Sequence, residues 1–527
     1  MNRICILDCT LRDGGYINDF SFGSYAIRSI IQKLTQAGID IIECGFLQSG
    51  CTDSEKSLFA SVEQIKKYLP LEKTASMYVA MIQYGKISNE EISVCDGKSI
   101  TGIRLTFHEH EMDDAFTLGQ QLMDKGYKVF MQPVGTTTYT DEALLKLIGR
   151  INELRPFAFY MVDTLGTLYK SDLLRMFYLI DHNLKKNIVL GFHSHNNLQL
   201  SFANAQELLQ INCNRSIVID TSVYGMGRGA GNLCTELVTQ YINENFVIRY
   251  NNISVLEVID QFIKPLTLKF SWGYDIAYYI SSTIRCHPNY ATFLLGLQSL
   301  HVQDIFAILS MINSSKRALF DKEYIRELYL SYMSKTVEDT DTLSEIQKKI
   351  AGREVVLIAP GKTIETEYDK IVAYIEKNNC CVISINFIPQ IFTVDMMFIS
   401  NMKRFTDSEE IKKEKIYTIA TSNIDVNSEE NIGIVNYGSF LNPDPRIVDN
   451  AGLMCINLLR KLECTKIRLA GFDGFNRNLT ENYIQDNMMA HLELDRIVEL
   501  NETISERLHE IKTQIDLDFI THTWYDI

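Results

Sequence analysis

What this chain lacks narrows it before any motif is read. No stretch approaches the ~20 uninterrupted apolar residues of a membrane-spanning helix. The N-terminus runs straight into "RICILD" without the apolar core of a signal peptide, so a cytoplasmic protein with no membrane span is expected. Basic charge is short: 51 Lys and Arg against 66 Asp and Glu leave a net charge of -15, spread along the chain. Nucleic acid is therefore not an expected partner, because phosphate binding needs a basic surface. The 12 cysteines form no C-x-x-C pair and follow no regular spacing. In a chain far larger than the small secreted scaffolds that need stapling, they are expected to be free, buried thiols.

What is present is an ordinary globular balance, 46% hydrophobic and 22% charged, over 527 residues. That length exceeds what one core supports, so at least two domains are expected. Short apolar runs rich in β-branched and aromatic residues recur at "RICILD", "IDIIECGF", "ASMYVAMI", "GIRLTF", "YKVFMQPV", "FAFYMVD", "IVLGFHSH" and "SIVIDTS". Between most of them lie helical patterns with start and stop signals, such as "SYAIRSIIQKLTQAG" closing on Gly38 and "TDEALLKLIGRINEL" opening on Thr140. About eight strand-helix units in the first ~240 residues match the rhythm of a (β/α)8 barrel, with a doubly wound open sheet as the rival.

In a barrel the chemistry belongs at the C-terminal ends of the strands. The seventh run ends in "GFHSHNN", and residues two apart on a strand share a face, so His193 and His195 point inward together. Closure places the first strand next to the eighth, which brings Asp13 of "LDCTLRDGGY" within reach. Two imidazoles and a carboxylate suit a catalytic divalent ion with open positions. The glycine-rich "YGMGRGAGN" after the eighth strand presents Asn232 as a further oxygen ligand. Arg12 then reads as the fixed cation that stabilises an oxyanion, with Glu43 at the end of the second strand holding it.

Together "LDCTLRDGGY", "IECGF", "VDTLG", "GFHSHNN" and "GMGRGAGN" resemble the pyruvate-aldolase and HMG-CoA-lyase-like group of metal-dependent TIM barrels, most nearly its 4-hydroxy-2-oxovalerate aldolase branch. The resemblance implies a 2-oxo acid chelated to the metal through carboxylate and ketone, with an aldehyde as its partner. It carries the metal role onto Asp13, His193 and His195 and the catalytic role onto Arg12, and it places Gly14 and Asp163 at the border of the 2-oxo acid pocket. Manganese is the expected ion, with magnesium or cobalt as alternatives. One departure stands out: Tyr16 occupies the position of that branch's histidine base. Tyr16, or else His108 or His110 in "TFHEHEMDD", is then the proton-transfer group. An acyl-CoA-dependent Claisen enzyme is the alternative, although the nearest cysteine to the glycine-rich loop is Cys234, beyond Asn232. A catalytically inactive metal-binding scaffold is the non-enzymatic alternative.

The expected layout is a barrel over 1–250, a helical extension over its mouth at 251–335, a linker at 336–351 and a Rossmann-like domain at 352–527. In the related aldolases such an extension can lend a tyrosine to the aldehyde side, for which Tyr274 and Tyr278 are the candidates. The last segment alternates strand and helix but has neither G-x-G-x-x-G nor a Walker A loop. The backbone of Gly361, Lys362 and Thr363 is a candidate phosphate cradle. The progression from "VVLIAPGKTI" to "KIRLAGFDGF" resembles sialyltransferase-like and flagellin-modification domains, which implies nucleotide-sugar recognition and an aldehyde that is a sugar of surface polysaccharide synthesis. Homo-oligomerisation is left open.

Overall fold

The computed structural model describes residues 4–391, 393–407, 416–426, 431–476, 482–484 and 494–526. The chain divides into two compact units, residues 1–292 with 313–320, and 293–312 with 321–527.

In the first unit all eight apolar runs become parallel strands: β1 (Ile4–Asp8), β2 (Ile41–Leu47), β3 (Met77–Gln83), β4 (Gly102–Phe107), β5 (Lys128–Pro133), β6 (Ala158–Asp163), β7 (Val189–Ser194) and β8 (Ile217–Thr221). Each pairs with the next, and β1 pairs with both β2 and β8, so the sheet closes into the expected barrel. The two-residue strand Leu58–Phe59 adds to β2 outside the ring. Strands covered on both faces need continuous apolar sequence, and β2 and β6 are buried at every position. Helix α1 (Ser24–Gln36) buries Ile27, Ile30, Ile31 and Leu34, a single helical stripe, against the barrel wall. Helix α2 (Asp141–Leu154) begins where Thr140 Oγ1 accepts the Ala143 N–H at 3.2 Å. Inside the ring Leu7, Ile41, Val79, Phe130, Tyr160 and Val218 form their own core, which plugs the barrel and leaves its strand-end mouth for polar groups.

Two boundaries differ from the sequence expectation. The helical stretch 251–335 is divided between the units: residues up to 292 remain with the barrel, whereas 293–312 and 321–335 pack with the second unit. The expected linker contains helix α3 (Thr340–Ile350), with Ile346 and Ile350 buried. Its charged residues occupy the outer face and mask a narrow apolar stripe.

The second unit is a seven-stranded, wholly parallel sheet: β9 (Glu354–Ile358), β10 (Cys380–Ile385), β11 (Met396–Ile399), β12 (Tyr417–Thr421), β13 (Ile432–Val435), β14 (Lys466–Ala470) and β15 (Asp516–Phe519). Its spatial order, β13-β12-β11-β10-β9-β14-β15, reverses direction between β9 and β14. That is the doubly wound α/β arrangement expected, with β15 added because "DLDF" is too short and polar to announce itself. Among the described residues, no helix is long and apolar enough to cross a membrane.

Candidate active site

The site forms where β1 ends. Beyond Asp8 the chain folds back so that the Arg12 and Asp13 N–H groups both donate to the Cys9 carbonyl, at 3.1 and 2.8 Å. The Asp8 carboxylate fixes this turn by accepting from Thr10 N–H at 3.0 Å and from Thr235 Oγ1 at 2.6 Å, which ties it to the chain beyond β8.

Asp13, His193 and His195 converge, with one ligand atom from each lying within 4.8 Å of the others. The imidazole rings stand perpendicular, 5.2 Å apart. His193 Nδ1 donates to Asp220 Oδ2 at 3.0 Å, which fixes the ring and leaves its Nε2 lone pair for a ligand. Burial, only partly offset by Asp13, lowers the His195 pKa to about 4, so its imidazole is neutral at pH 7. Burial pushes the Asp13 carboxyl up, but Arg12 and the two imidazoles outweigh it and hold the group well below the usual carboxylate range. Asn232 Nδ2 donates to Asp13 Oδ2 at 2.6 Å. Gly227 permits that approach, because a Cβ there would lie 2.4 Å from Asn232 Nδ2.

Arg12 is 5% exposed and held on two sides, through Nη1 to Asp13 at 2.6 Å and through Nε to Glu43 Oε2 at 2.8 Å. Glu43 Oε2 also accepts from Arg104 Nη1 at 2.7 Å, and Arg104 Nη2 donates to Asp220. A continuous buried chain of alternating charge thus runs from Asp13 through Arg12, Glu43, Arg104 and Asp220 to His193. Five atoms of this chain and of the two residues beside it are buried without a partner among the described residues: Arg12 Nη2, Glu43 Oε1, Asp220 Oδ1, His195 Nδ1 and Asn232 Oδ1. An unsatisfied buried polar group costs about 1–3 kcal/mol. An oxygen-binding cation beside Asn232 Oδ1 and an anionic oxygen beside Arg12 Nη2 would satisfy two of these atoms, so the donor set fits a divalent ion and an oxyanion.

These groups open into a cavity of about 250 Å³ that Tyr16, His108, Arg228 and His287 also line. Tyr16 packs edge-on against Phe20 and Phe46, and the Arg228 guanidinium lies 4.4 Å from its ring centroid. Burial pushes its phenol above the ordinary value, and the two arginines only partly compensate. That turns against Tyr16 as a base. His110 stacks on His108 with centroids 5.7 Å apart but is itself exposed and does not line the cavity.

Other expected residues fall elsewhere. Gly14 packs against Met226 rather than lining the cavity. Asp163 faces its own loop, accepting from Thr167 N–H at 3.0 Å and Leu168 N–H at 3.1 Å. Tyr274 is 63% exposed, and Tyr278 lies beside Gly229 of the glycine-rich loop; neither lines the cavity. The helical segment instead contributes His287 and Pro288. In the second unit the proposed cradle is already occupied: the Gly361 N–H donates to Gly471 O at 3.1 Å and the Thr363 N–H to Asp473 Oδ2 at 2.9 Å. The sequence reading passed over Arg228 although it sits within the quoted glycine-rich loop, and over His287, whose Cys-His-Pro context carries no spacing signal.

Burial lifts the Asp163 pKa to about 6, against the two N–H bonds that lower it. The folded form therefore keeps its proton to higher pH than the unfolded chain, which titrates near ~4. Its contribution favours folding below about pH 4 and is lost as pH rises towards 6. Asp163→Asn should flatten the fall of melting temperature across that window; an unchanged slope would mean that the carboxyl titrates normally.

Comparison with known proteins places these residues in context. The family model described as HMGL-like matches residues 3–262. The oxaloacetate decarboxylase of Mycobacterium tuberculosis (strain ATCC 25618 / H37Rv) is 25% identical over 235 residues, 43% of this chain and 66% of that protein. The 4-hydroxy-2-oxovalerate aldolase of Geobacillus genomosp. 3 is 26% identical over 247 residues, 46% of this chain and 70% of the relative. The chain thus spans about two thirds of the length of these curated relatives. Among solved structures, the N-terminal domain of a proposed aldolase from Bacteroides vulgatus is 24% identical, covering 55% of this chain and 96% of that one with a TM-score of 0.49. The family match ends at residue 262, and the resemblance drawn for the C-terminal domain gains no support from it.

Proposed function

We propose that the barrel, whose residues 3–262 match the HMGL-like family model, is a divalent-metal-dependent carbon-carbon lyase that makes or breaks the bond between a pyruvate-like 2-oxo acid and an aldehyde. The observation that carries this reading is the junction of the Asp13-His193-His195 donor set with a buried arginine that keeps one N–H uncommitted. Charge agrees with it. Three buried carboxylates, Asp13, Glu43 and Asp220, face two buried guanidinium groups, Arg12 and Arg104, leaving one excess negative charge. A divalent cation reverses that excess, and the carboxylate of a 2-oxo acid neutralises the remainder.

When bound to those ligands, a divalent ion supplies Lewis acidity to the carboxylate and ketone oxygens of the 2-oxo acid. Manganese is favoured, and magnesium or cobalt would serve, because the set has no thiolate. Arg12, clamped by Glu43 and Asp13, donates Nη2–H to the ketone oxygen as negative charge builds there. Two cavity imidazoles lie outside the cluster, His108 and His287. Burial beside Arg228 holds His287 at about 4, a weak base at pH 7, which leaves His108 to take the proton from C3. The names of the two relatives, an oxaloacetate decarboxylase and a 4-hydroxy-2-oxovalerate aldolase, each specify a 2-oxo acid, which supports that half of the reading. The thioester alternative is weakened by Cys234, which lies outside the cavity and whose thiol burial pushes up to about 12. The sugar aldehyde, its place in surface polysaccharide synthesis and nucleotide-sugar recognition rest on the C-terminal resemblance alone.

Exchange of pyruvate methyl protons in deuterated water tests this reading. A lyase of this kind exchanges them with manganese and no second substrate. Product only after addition of an acyl-CoA would point to Claisen condensation, and no exchange at all to a scaffold. Within that assay His108→Ala should lower exchange by about 10²-fold, the usual worth of a positioned base. Tyr16→Phe and His110→Ala should change it only a few-fold. A large loss in Tyr16→Phe with His108→Ala unaffected would return the role to the phenol.

A further inference from the structure

The second unit holds its own cavity, of about 310 Å³, where β9 and β14 diverge. Outside the carboxyl ends of parallel strands, at the point where strand order reverses, open α/β sheets bind their ligands. The cavity is bordered by the residues that follow β9, β10, β11 and β14 and by the start of helix α4 (Ala451–Lys461).

Its polar groups are unevenly committed. Arg404, just beyond β11, is half-buried and lines the cavity, yet its guanidinium forms no hydrogen bond or ion pair among the described residues. Natural proteins rarely leave a desolvated cation without a counter-charge. Asn386, at the end of β10, is 9% exposed and held at φ +60°, a strained conformation for a residue other than glycine. Its Oδ1 accepts the Ser400 N–H at 3.0 Å, which fixes the amide and leaves Nδ2 without an acceptor among the described residues. Ser400 is 6% exposed, and its hydroxyl has no partner among the described residues. Guanidinium, amide and hydroxyl donors thus gather beyond β10 and β11 with no acceptor among the described residues.

The other side of the cavity has the opposite character. Asp473 follows β14, three strand spacings from β11, or about 14 Å. It accepts the Thr363 N–H on Oδ2 and the Thr363 hydroxyl on Oδ1, and Asp449 accepts the Tyr329 hydroxyl at 2.7 Å. Each carboxylate oxygen keeps a further lone pair after one such bond and suits a hydroxyl group. Tyr437, Phe472 and Phe475 supply flat walls.

We propose that this cavity binds a phosphate ester of a polyhydroxylated compound, its phosphate held by Arg404, Asn386 and Ser400 and its hydroxyls by Asp449 and Asp473. A guanidinium fork with two further donors matches the three terminal oxygens of a phosphate better than the two of a carboxylate. The shared chemistry covers sugar phosphates and nucleotides. The argument is independent of the barrel's activity.

The test is calorimetric titration of the full chain with ribose 5-phosphate, uridine diphosphate, inorganic phosphate and gluconate. One of the two esters should bind with 1:1 stoichiometry and more tightly than inorganic phosphate; which one distinguishes a sugar-phosphate from a nucleotide site. Arg404→Gln should weaken that ester by ~10-fold or more, the worth of a charged hydrogen bond, with the melting temperature unchanged. In the unsubstituted protein the bound ester should shield Arg404 from phenylglyoxal, a readout that needs no variant. Gluconate binding as tightly as either ester, no binding of any probe at millimolar concentration, unchanged affinity in a folded Arg404→Gln, or unshielded Arg404 would each overturn the proposal.

Discussion

Exchange of pyruvate methyl protons should fall to background when EDTA strips the protein, and manganese should restore it. His193→Ala and His195→Ala each remove one of three side-chain ligands whose donor atoms lie within 4.8 Å of one another. Both variants should therefore bind manganese far more weakly, read directly by paramagnetic relaxation of water protons, which reports metal whether or not chemistry occurs. Asp220→Asn should fall between them and the wild type, on the order of 10–100-fold weaker, as expected for a group that orients a ligand without touching the metal. Full manganese occupancy in both histidine variants would remove the metal assignment and, with it, the charge balance on which the 2-oxo acid reading depends.

The second large effect isolates Arg12 from the metal. Arg12→Lys retains the positive charge but loses the planar fork that reaches Asp13 through Nη1 and Glu43 through Nε while directing Nη2 inward. A lysine has one nitrogen and cannot satisfy both carboxylates and the substrate oxygen together. Manganese binding should survive, whereas the exchange rate should drop by about 10²-fold or more, as when an oxyanion donor is removed. That corresponds to ~2.7 kcal/mol or more of barrier. An active Arg12→Lys would mean that charge alone suffices and that Nη2 has no directed role.

The barrel was legible because eight buried strands need eight β-branched runs, and each run, from "RICILD" to "SIVIDTS", became a strand. The convergence of Asp13, His193 and His195 was legible because two residues apart on one strand share a face and because ring closure joins β1 to β8. The interior charge chain was not. Arg104 lies in the middle of "GIRLTF", where a cation reads as a tolerated exception in an apolar strand, and its partners Glu43 and Asp220 are 61 and 116 residues away. The surroundings of Tyr16 were hidden for a related reason. Its position invites a catalytic role, while the Phe20, Phe46 and Arg228 contacts that weigh against it exist only after folding.

Sequence alone determined the eight barrel strands, their parallel layout and the chemical identity of the candidate metal donors, since these follow from local periodicity and residue type. Tertiary structure decided which groups are committed and which are free. Thr363 and Gly361 look like an open phosphate cradle until Asp473 and Gly471 close over their N–H groups. Arg404 looks like one more surface cation until folding half-buries it in a cavity wall without a counter-ion among the described residues. Availability of a donor depends on every neighbour that folding brings within about 3 Å of it, and that information is non-local.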